Sequence, residues 1–391
     1  MLTVLKNARI IDCTGNCLPK GDLSFADGRI VEISQSPLPG DVEIDVGGKT
    51  VLPGLIDCHT HLGITPTFCG FAIAEQENET ATAVKCYDQC LSLLRCGVTT
   101  VRNMGTKYDA DITLRNMIRA GTVKGPRILA SGRLLCITGG HGNALGVECD
   151  TPGEALRAAR GQIKKTADVL KMIATGGVLT KGSVVGAAQL SLEQMRAVCQ
   201  EAQRTGKLTG AHCIGYEGTK NAIEAGVQSV EHGYAIDDEL AEKMLAQGTF
   251  LSPTVMAVHV LAVYDGDDPV GVELREKIAD IAADNERAFK LCRRKGVKIA
   301  ASTDMGTPFI VPGTLIQELA KYVEFGMSNM EALMTATKNG AELCRLDKEI
   351  GTLEPGKIAD IIVVDGNPLE DILQLSHVSM TFCGGQLFYQ A

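Results

Sequence analysis

The feature that most constrains the fold of this chain is an alternation, repeated through its middle part, between short apolar segments and amphipathic stretches. The apolar segments have the length of buried strands, and the stretches between them have the periodicity of helices. Two of these stretches begin with a capping box, at Ser191 and at Ser328. This order is typical of a parallel sheet whose crossover connections are helices.

The number of apolar segments predicts how this sheet closes. Eight parallel strands, each followed by a helix, close a (β/α)8 barrel, and we count eight such segments. The first ends at residues 57–61, and the others span residues 98–102, 127–131, 169–173, 208–212, 229–232, 250–254 and 298–304. The predicted fold class is therefore α/β, with a TIM-like (β/α)8 barrel.

Both ends of the chain are rich in short β-strand signals. An Asp-Gly pair at residues 27–28 lies between two apolar runs, and a Gly-Gly pair lies at residues 384–385, so each site predicts a hairpin. Neither end has a full core alone, and we expect the two ends to pair. The expected organisation is a small β-sandwich domain from residues 1–56 and 351–391, and a catalytic barrel domain from residues 57–350.

Composition argues against several classes of function. The chain of 391 residues carries 38 Lys and Arg against 47 Asp and Glu, a net charge of −9. An acidic chain without a basic run is unsuited to nucleic acid or an anionic membrane. We find no apolar stretch that would span a bilayer and no apolar core of a signal peptide at the N-terminus. The 14 cysteines are scattered. We therefore expect a cytoplasmic protein that acts on a small molecule, alone or as a homo-oligomer.

The polar residues that close the predicted strands form a set that suits a metal ion. His59 and His61 are two apart at the end of the first strand, so their side chains point to the same side. His212, His232 and Asp304 close the fifth, sixth and eighth strands. The carboxyl ends of barrel strands meet on one face, and four imidazoles with a carboxylate suit Zn²⁺. The simpler alternative for the first strand is a pair of hydrogen-bonded histidines without a metal.

Lys171 lies within the apolar fourth strand. Burial there makes an ammonium costly and lowers its pKa, so that the neutral amine becomes available. A neutral amine can take up CO₂ to form a carbamate, an anion able to bridge two cations. The alternative, which the residues alone leave equally open, is a lysine whose head reaches solvent at the edge of the sheet.

With these residues in this order, the chain resembles the amidohydrolase superfamily of metal-dependent hydrolases. Residues 53–61 are similar to the first-strand motif of that superfamily, and residues 351–360 are similar to a segment near its end. The resemblance implies two divalent metal ions, most simply Zn²⁺, bridged by a CO₂-derived carbamate on Lys171. The other ligands that it implies are His59, His61 and Asp304 for the more buried ion, and His212 and His232 for the second ion.

Three shorter segments are similar to the prolidase-like dipeptidases and the ochratoxin-type amidases of this superfamily. They span residues 97–103, 130–133 and 138–143. In that group a histidine in the loop after the third strand contacts substrate, and here this residue is His141.

Two further residues are candidates for contact with substrate. Arg102 could receive a substrate carboxylate at the mouth of the barrel, although an arginine at a strand end is as often an ion-pair partner. Tyr234 could polarise the scissile carbonyl together with His141, although a buried tyrosine is more often part of the packing. Asp304 would take the proton of the attacking water and pass it to the leaving nitrogen.

The predicted function is hydrolysis of an amide or peptide bond in a small substrate that bears a carboxylate, such as a dipeptide, an Xaa-Pro-type peptide or an N-acyl amino acid. Two metal ions would lower the pKa of a bridging water and supply hydroxide near neutral pH. The alternatives are a mononuclear deaminase or cyclic-amide hydrolase of the imidazolonepropionase type, and a phosphotriesterase-like hydrolase. A non-catalytic scaffold would have lost one or more ligands, and this chain carries all of them.

Overall fold

Strands and helices alternate through most of the computed structural model, which describes residues 1–279 and 281–391. The strands are β1 (Thr3–Ile11), β2 (Cys17–Ala26), β3 (Arg29–Ser34), β4 (Val42–Asp45), β5 (Thr50–Pro53), β6 (Leu55–Thr60), β7 (Val98–Asn103), β8 (Arg127–Leu129), β9 (Leu134–Cys136), β10 (Gly146–Glu148), β11 (Val169–Ile173), β12 (Leu208–Cys213), β13 (Ser229–His232), β14 (Phe250–Ser252), β15 (Ile361–Val364), β16 (Val378–Cys383) and β17 (Gln386–Gln390). The α-helices are α1 (Gly70–Gln76), α2 (Glu79–Arg95), α3 (Ala110–Arg119), α4 (Pro152–Lys164), α5 (Leu192–Thr205), α6 (Tyr216–Ala225), α7 (Asp238–Gln247), α8 (Val255–Ala262), α9 (Pro269–Lys295), α10 (Thr314–Glu324), α11 (Asn329–Thr335) and α12 (Lys338–Leu343). The capping boxes predicted at Ser191 and Ser328 begin α5 and α11.

Strands from both chain ends pair in one sheet. Its order is β17-β16-β15-β5-β1-β2-β3, and β4 pairs with β1. The predicted hairpin between β2 and β3 turns at Asp27 and Gly28, whose φ values of 50° and 77° suit a two-residue turn. The second predicted hairpin joins β16 and β17. The pairing of the two chain ends into a small β-domain is confirmed, and the residue bounds given above for the two domains stay a prediction.

Eight parallel segments form the barrel. β6, β7 and β8 pair in order, as do β11, β12, β13 and β14. The Asp168 N–H donates to the Ala130 carbonyl at 2.7 Å and joins the two groups on one side. On the other side, residues 298–305 lie between β14 and β6, where the Asp304 N–H donates to the His59 carbonyl at 2.9 Å. The prediction of a TIM-like barrel is therefore confirmed.

The apolar run at residues 50–56 is divided between the two parts of the molecule. β5 pairs with β1 and β15 in the small sheet, and β6 pairs with β7 in the barrel. Gly54 lies between them, and a Cβ on it would come within 2.2 Å of Thr99 Oγ1. The chain passes here from sheet to barrel, and β6 ends at the histidines of the site.

The two ends of the barrel differ in polarity. The first residues of β11, β12 and β14 (Val169, Leu208 and Phe250) form an apolar cluster with Leu343 and Ile350 at one end. The predicted polar residues lie at the opposite ends of the strands. Among the helices in the described part of the chain, none is both long and apolar enough to cross a membrane.

Candidate metal centre

Three of the predicted ligands converge at the end of β6. His59 Nε2 lies 3.4 Å from His61 Nε2, and Asp304 Oδ1 lies 3.3 Å from the former and 3.4 Å from the latter. All three residues are buried. Nitrogen and oxygen atoms at these separations form a cluster that one cation could occupy.

The other three predicted ligands lie beside this cluster. Lys171 Nζ, on β11, is 3.4 Å from His59 Nε2. The rings of His212 and His232, on β12 and β13, have their centroids 4.5 Å apart, and the His232 ring lies 5.2 Å from that of His59. The structure therefore brings together all six residues that the sequence predicts as metal ligands.

The orientation of the histidines fits a metal centre. Metal-binding histidines are commonly held by a hydrogen bond at the ring nitrogen that faces away from the metal. Three of the four rings have such a bond at Nδ1, which leaves Nε2 for the ion. The bonds join His59 to Glu231 Oε2 at 2.8 Å, His61 to the Gly105 carbonyl at 3.0 Å, and His232 to Thr254 Oγ1 at 2.7 Å.

His212 supplies an independent sign of the same fit. Its Nε2 is buried and has no hydrogen-bond partner among the described residues. A buried polar atom without a partner carries a free-energy cost, and a metal ion at this position would remove that cost. The donor set therefore suits divalent cations of the Zn²⁺ type.

Burial sets the protonation of these groups. It lowers the pKa of His59 to about 4 and that of His212 well below its usual range, so both rings are neutral near pH 7. It also lowers the pKa of Lys171 to about 8. Burial alone would raise the pKa of Asp304, but the facing His59, His61 and His232 rings hold it well below its usual range. The site therefore offers neutral imidazoles and an ionised carboxylate, which is the form that metals bind.

Backbone strain is concentrated at the same strand ends. His232, Thr254 and Asp304 have φ values of 68°, 47° and 65°, in the left-handed region that non-glycine residues rarely adopt. Such strain persists where the surrounding structure fixes it, and it clusters at functional sites. It directs the side chains of His232 and Asp304 toward the centre.

Asp57 fixes the last barrel segment against the first strand. Its carboxylate accepts hydrogen bonds from Thr303 Oγ1 at 2.6 Å, Thr303 N at 3.1 Å and His59 N at 3.2 Å. The segment that carries Asp304 is thereby tied to the strand that carries His59 and His61. The first-strand motif thus contains both two ligands and the residue that positions a third.

Arg102 lies beneath the metal centre, and the prediction that it lies at the mouth is wrong. Its side chain is fully buried, and Nη2 donates to both carboxylate oxygens of Glu231 at 2.9 and 3.0 Å. Its Nε donates to the Cys58 carbonyl at 2.6 Å, and Nη1 donates to Ser229 Oγ at 2.7 Å. The reason is that the buried Glu231 carboxylate needs a counter-charge, so Arg102 is an ion-pair partner.

Glu231 is the residue of the site that sequence reasoning missed. Burial would raise its pKa, but Arg102 and then His59 hold it well below its usual range. The ionised carboxylate in turn orients His59 through the bond at Nδ1. A signal was present in the sequence, because Glu231 is a charged residue in a short buried strand, as Lys171 is.

A pocket opens above the metal centre, and the remaining two predicted residues line it. His141 lies with its ring centroid 4.5 Å from that of His212, and its Nδ1 is 2.9 Å from Thr180 Oγ1. Tyr234 lies 5.8 Å from the His232 ring, and burial raises the pKa of its hydroxyl. Both side chains therefore face the cavity in which a substrate would lie.

Comparison with known proteins agrees with this geometry. The model of the Amidohydrolase family matches residues 50–388. Ochratoxinase of Aspergillus niger is 29% identical over 369 residues, which cover 86% of this chain and 75% of the relative.

Two solved structures share the whole architecture. A crystal structure of a Xaa-Pro dipeptidase with methionine bound in its active site has 32% sequence identity and a TM-score of 0.92, and all of both chains are covered. The crystal structure of A. niger ochratoxinase has 27% identity and a TM-score of 0.89, with 100% of this chain and 96% of that chain covered. The likeness therefore extends to both the barrel and the small sheet.

Proposed function

Since the chain belongs to the amidohydrolase family and is a hydrolase acting on carbon–nitrogen bonds, we propose that it cleaves an amide or peptide bond with the help of two divalent metal ions. The observation that carries this proposal is the convergence of six ligand residues at one end of the barrel, with His212 Nε2 left without a partner among the described residues. The names of the two relatives above, a Xaa-Pro dipeptidase and an ochratoxinase, support the prolidase-like subgroup.

The placement of Lys171 supports a two-metal site. Its Nζ lies 3.4 Å from His59 Nε2, within the ligand cluster. Burial lowers its pKa to about 8, so roughly a tenth of the amine is neutral at pH 7. A carbamate formed there from CO₂ would supply an anionic ligand beside His59. His59, His61 and Asp304 would hold one ion, and His212 and His232 the other.

The chain's own residues supply the remaining chemistry. Metal ions held by these residues would supply hydroxide at neutral pH and would polarise the scissile carbonyl. The Asp304 carboxylate takes the proton of the attacking water and delivers it to the nitrogen, which leaves only once it is protonated. His141 and Tyr234 line the pocket beside the ligands and orient the carbonyl. Thr180 holds the His141 ring through Nδ1.

The proposed substrate is a small amide that bears a carboxylate, such as a dipeptide or an N-acyl amino acid. His141 would bind the substrate carboxylate. Arg102 would not, because it is buried below the ligands. A free acid and its carboxamide test this point directly. Equal kcat/KM for the free acid and its carboxamide would show that the enzyme does not recognise the carboxylate.

The decisive experiment is a panel of dipeptides and N-acyl amino acids assayed with Zn²⁺ and with Mn²⁺, alongside metal analysis. We expect up to two ions per chain and loss of hydrolysis on chelation. One ion per chain with turnover of a cyclic amide would favour a mononuclear deaminase or cyclic-amide hydrolase. Preferred turnover of a phosphotriester would favour a phosphotriesterase-like hydrolase. Cytoplasmic location and homo-oligomeric assembly stay predictions, which fractionation and sedimentation would check.

A further inference from the structure

A network of buried hydrogen bonds centres on Asn103, beside the candidate metal centre. Asn103 is the last residue of β7 and is fully buried. Its Oδ1 accepts the Leu62 N–H at 2.8 Å and the Thr60 hydroxyl at 3.3 Å. Its Nδ2 donates to Thr106 Oγ1 at 2.6 Å and to Asp111 Oδ2 at 2.9 Å. A side-chain amide has two N–H donors and an oxygen that accepts two bonds, so all of its hydrogen-bonding capacity is used.

The network joins the segments that follow three consecutive barrel strands. Thr106, which follows β7, donates from Oγ1 to the carbonyl of Leu62, which follows β6, at 3.0 Å. Asp111 lies in the first turn of α3, and its Oδ2 also accepts the N–H groups of Ser131 at 3.0 Å and Gly132 at 3.1 Å, just after β8. The amide at the end of β7 links these two parts, because it donates on one side and accepts on the other. A carboxylate of the same size could only accept.

These bonds flank both partners of one ligand contact. His61 Nδ1 donates to the Gly105 carbonyl at 3.0 Å, and this contact leaves Nε2 for the ion. The network holds Leu62, the residue after His61, and Thr106, the residue after Gly105. Gly105 has a φ value of 141°, which glycine adopts far more readily than other residues. The direction of its carbonyl therefore depends on how its neighbours are held.

We propose that Asn103 is a positioning residue that holds His61 through the Gly105 carbonyl. It thereby strengthens binding of the ion that His61 helps to hold, and not of the second ion. This inference rests on the proposed two-metal function. Partners that orient metal-binding histidines typically change metal affinity by about 10–100-fold. The second ion depends on a different contact, because its ligand His232 is held by Thr254 Oγ1 at 2.7 Å.

Variants of the full-length protein disrupt the network to different degrees. Asn103→Leu nearly keeps the size of the side chain and removes all four hydrogen bonds of the amide. Thr106→Val is milder, because it removes only the two bonds of the hydroxyl, and Thr106→Ser keeps that hydroxyl as the matched control. If Asn103→Leu does not fold, the comparison of Thr106→Val with Thr106→Ser decides the question.

Two further variants separate the expected effect from a general loss of stability. Thr209→Val removes a buried hydroxyl near the start of β12, which accepts the Gln228 N–H at 3.1 Å and lies at the end of the barrel opposite the ligands. It should lower stability without changing the affinity for either ion. Thr254→Val removes the partner of His232 and should weaken the second ion.

Competition for Zn²⁺ between each protein and a chromophoric chelator gives the affinity for each ion. We expect Asn103→Leu and Thr106→Val to weaken one ion by about tenfold or more and to keep the affinity for the other. Thr254→Val should weaken that other ion, and Thr106→Ser should weaken neither. Weakening of the same ion by Thr106→Val and Thr254→Val, or equal weakening of both ions by Thr106→Val, would overturn the inference.

A measurement on His61 itself separates this inference from the proposed function. In protein with isotope-labelled histidine, the NMR signal of the His61 Nδ1–H is identified by its absence in His61→Gln. Its exchange with water should be faster in Thr106→Val than in wild type and Thr106→Ser, and the exchange of the His232 Nδ1–H should stay the same. Unchanged exchange at His61 in the folded network variants would contradict the positioning role. Fewer than two Zn²⁺ per chain in wild type would overturn the two-metal proposal, and exchange at His61 would still decide whether Asn103 positions that ring.

Discussion

The floor of the pocket and its walls are built from opposite kinds of residue. The floor consists of buried imidazoles, a carboxylate and a lysine, supported from below by the ion pair between Arg102 and Glu231. The walls consist of aliphatic and aromatic side chains, most of them on helices and loops that follow the barrel strands and two of them, Leu134 and Ile173, on β9 and at the end of β11. The difference indicates that hydrogen bonds fix the reacting geometry, whereas apolar packing on the connecting segments sets which substrate fits.

The two regions should also differ in how they respond to substitution. A floor residue has a charged or polar partner, and its removal leaves that partner buried and unpaired. A wall residue has only neighbours in contact, and its removal changes shape and area. The predictions below test this contrast, beginning with the largest expected effect.

Loss of a ligand should abolish function without unfolding the chain. His59→Ala and Asp304→Asn are expected to lose bound metal and at least about a hundredfold in kcat/KM, since even partners outside the ligand shell matter that much. Metal analysis checks the loss of bound metal, and circular dichroism checks that the fold is intact. His377→Ala is the control, because His377 is an exposed histidine away from the pocket. Full activity in a metal-free preparation would refute the metal centre.

Lys171→Ala should lose metal and activity in the same way, because no carbamate can form. Short carboxylic acids should restore part of both, since a carboxylate can take the bridging position. Lys181→Ala, which changes an exposed lysine in the segment after β11, is the control. A crystal structure with a bare ammonium far from any metal would contradict this prediction.

Reactivation by bicarbonate gives the pH dependence of the same residue. CO₂ reacts with the neutral amine, and burial lowers the pKa of Lys171 to about 8. At a fixed concentration of dissolved CO₂, with total bicarbonate raised to match each pH, the rate of reactivation of decarboxylated, metal-free enzyme on addition of metal should therefore rise as the pH increases toward about 8 and level off above it. A rate that is constant between pH 6 and pH 9 would show that Lys171 is not the group that reacts.

Glu231→Gln tests the support beneath the floor. It leaves the buried Arg102 guanidinium without its counter-charge, so the free energy of unfolding should fall by about 3–5 kcal/mol. The double variant Arg102→Met with Glu231→Gln should recover part of this loss, because no uncompensated charge remains. Urea unfolding of the metal-free proteins measures the free energy of unfolding of the single and the double variant. Glu239→Gln is the control, because Glu239 forms an exposed ion pair with Lys243. A double variant less stable than the single one would argue against the charge-pair explanation.

Glu318→Gln tests the wall side of the comparison. The buried Glu318 carboxylate accepts the N–H groups of Val255 at 2.7 Å and Met256 at 2.6 Å, at the start of α8, which carries Leu261. A glutamine must present its NH₂ to one of these donors, so the free energy of unfolding should fall by about 1–3 kcal/mol. Glu324→Gln, at the exposed end of α10, the helix that also carries Glu318, should change the free energy of unfolding little.

The pH dependence of this effect has a definite sign. Burial raises the pKa of Glu318 to about 8, above its value in the unfolded chain. The stability that Glu318 contributes is therefore fully present below the unfolded pKa and is lost as the pH rises through about 8, by at most about 1.4 kcal/mol per pH unit. Glutamine does not titrate, so the gap between wild type and Glu318→Gln should narrow as the pH rises. A gap that widens would contradict the assignment.

The sequence by itself determined the barrel and the residues of its floor. Alternation of apolar and amphipathic segments requires parallel strands with helical crossovers, and the carboxyl ends of such strands must meet on one face. Polar residues at those ends, such as His59, His212 and Asp304, are therefore brought together by any chain with this pattern. The two hairpins follow from local turn chemistry in the same way.

Only the tertiary structure decided where Arg102 points, how Glu231 is used and what the walls are. A strand-end side chain faces either the interior or the mouth, and the choice depends on the partner that it meets there, which for Arg102 is a carboxylate from another strand. The composition of the walls depends on where α1, α8 and α9 pack against the barrel. Helix packing brings residues such as Phe71 and Leu134, which are far apart in the chain, into one cluster. Local pattern carries no information about such contacts, because they are fixed by packing between segments and not within them.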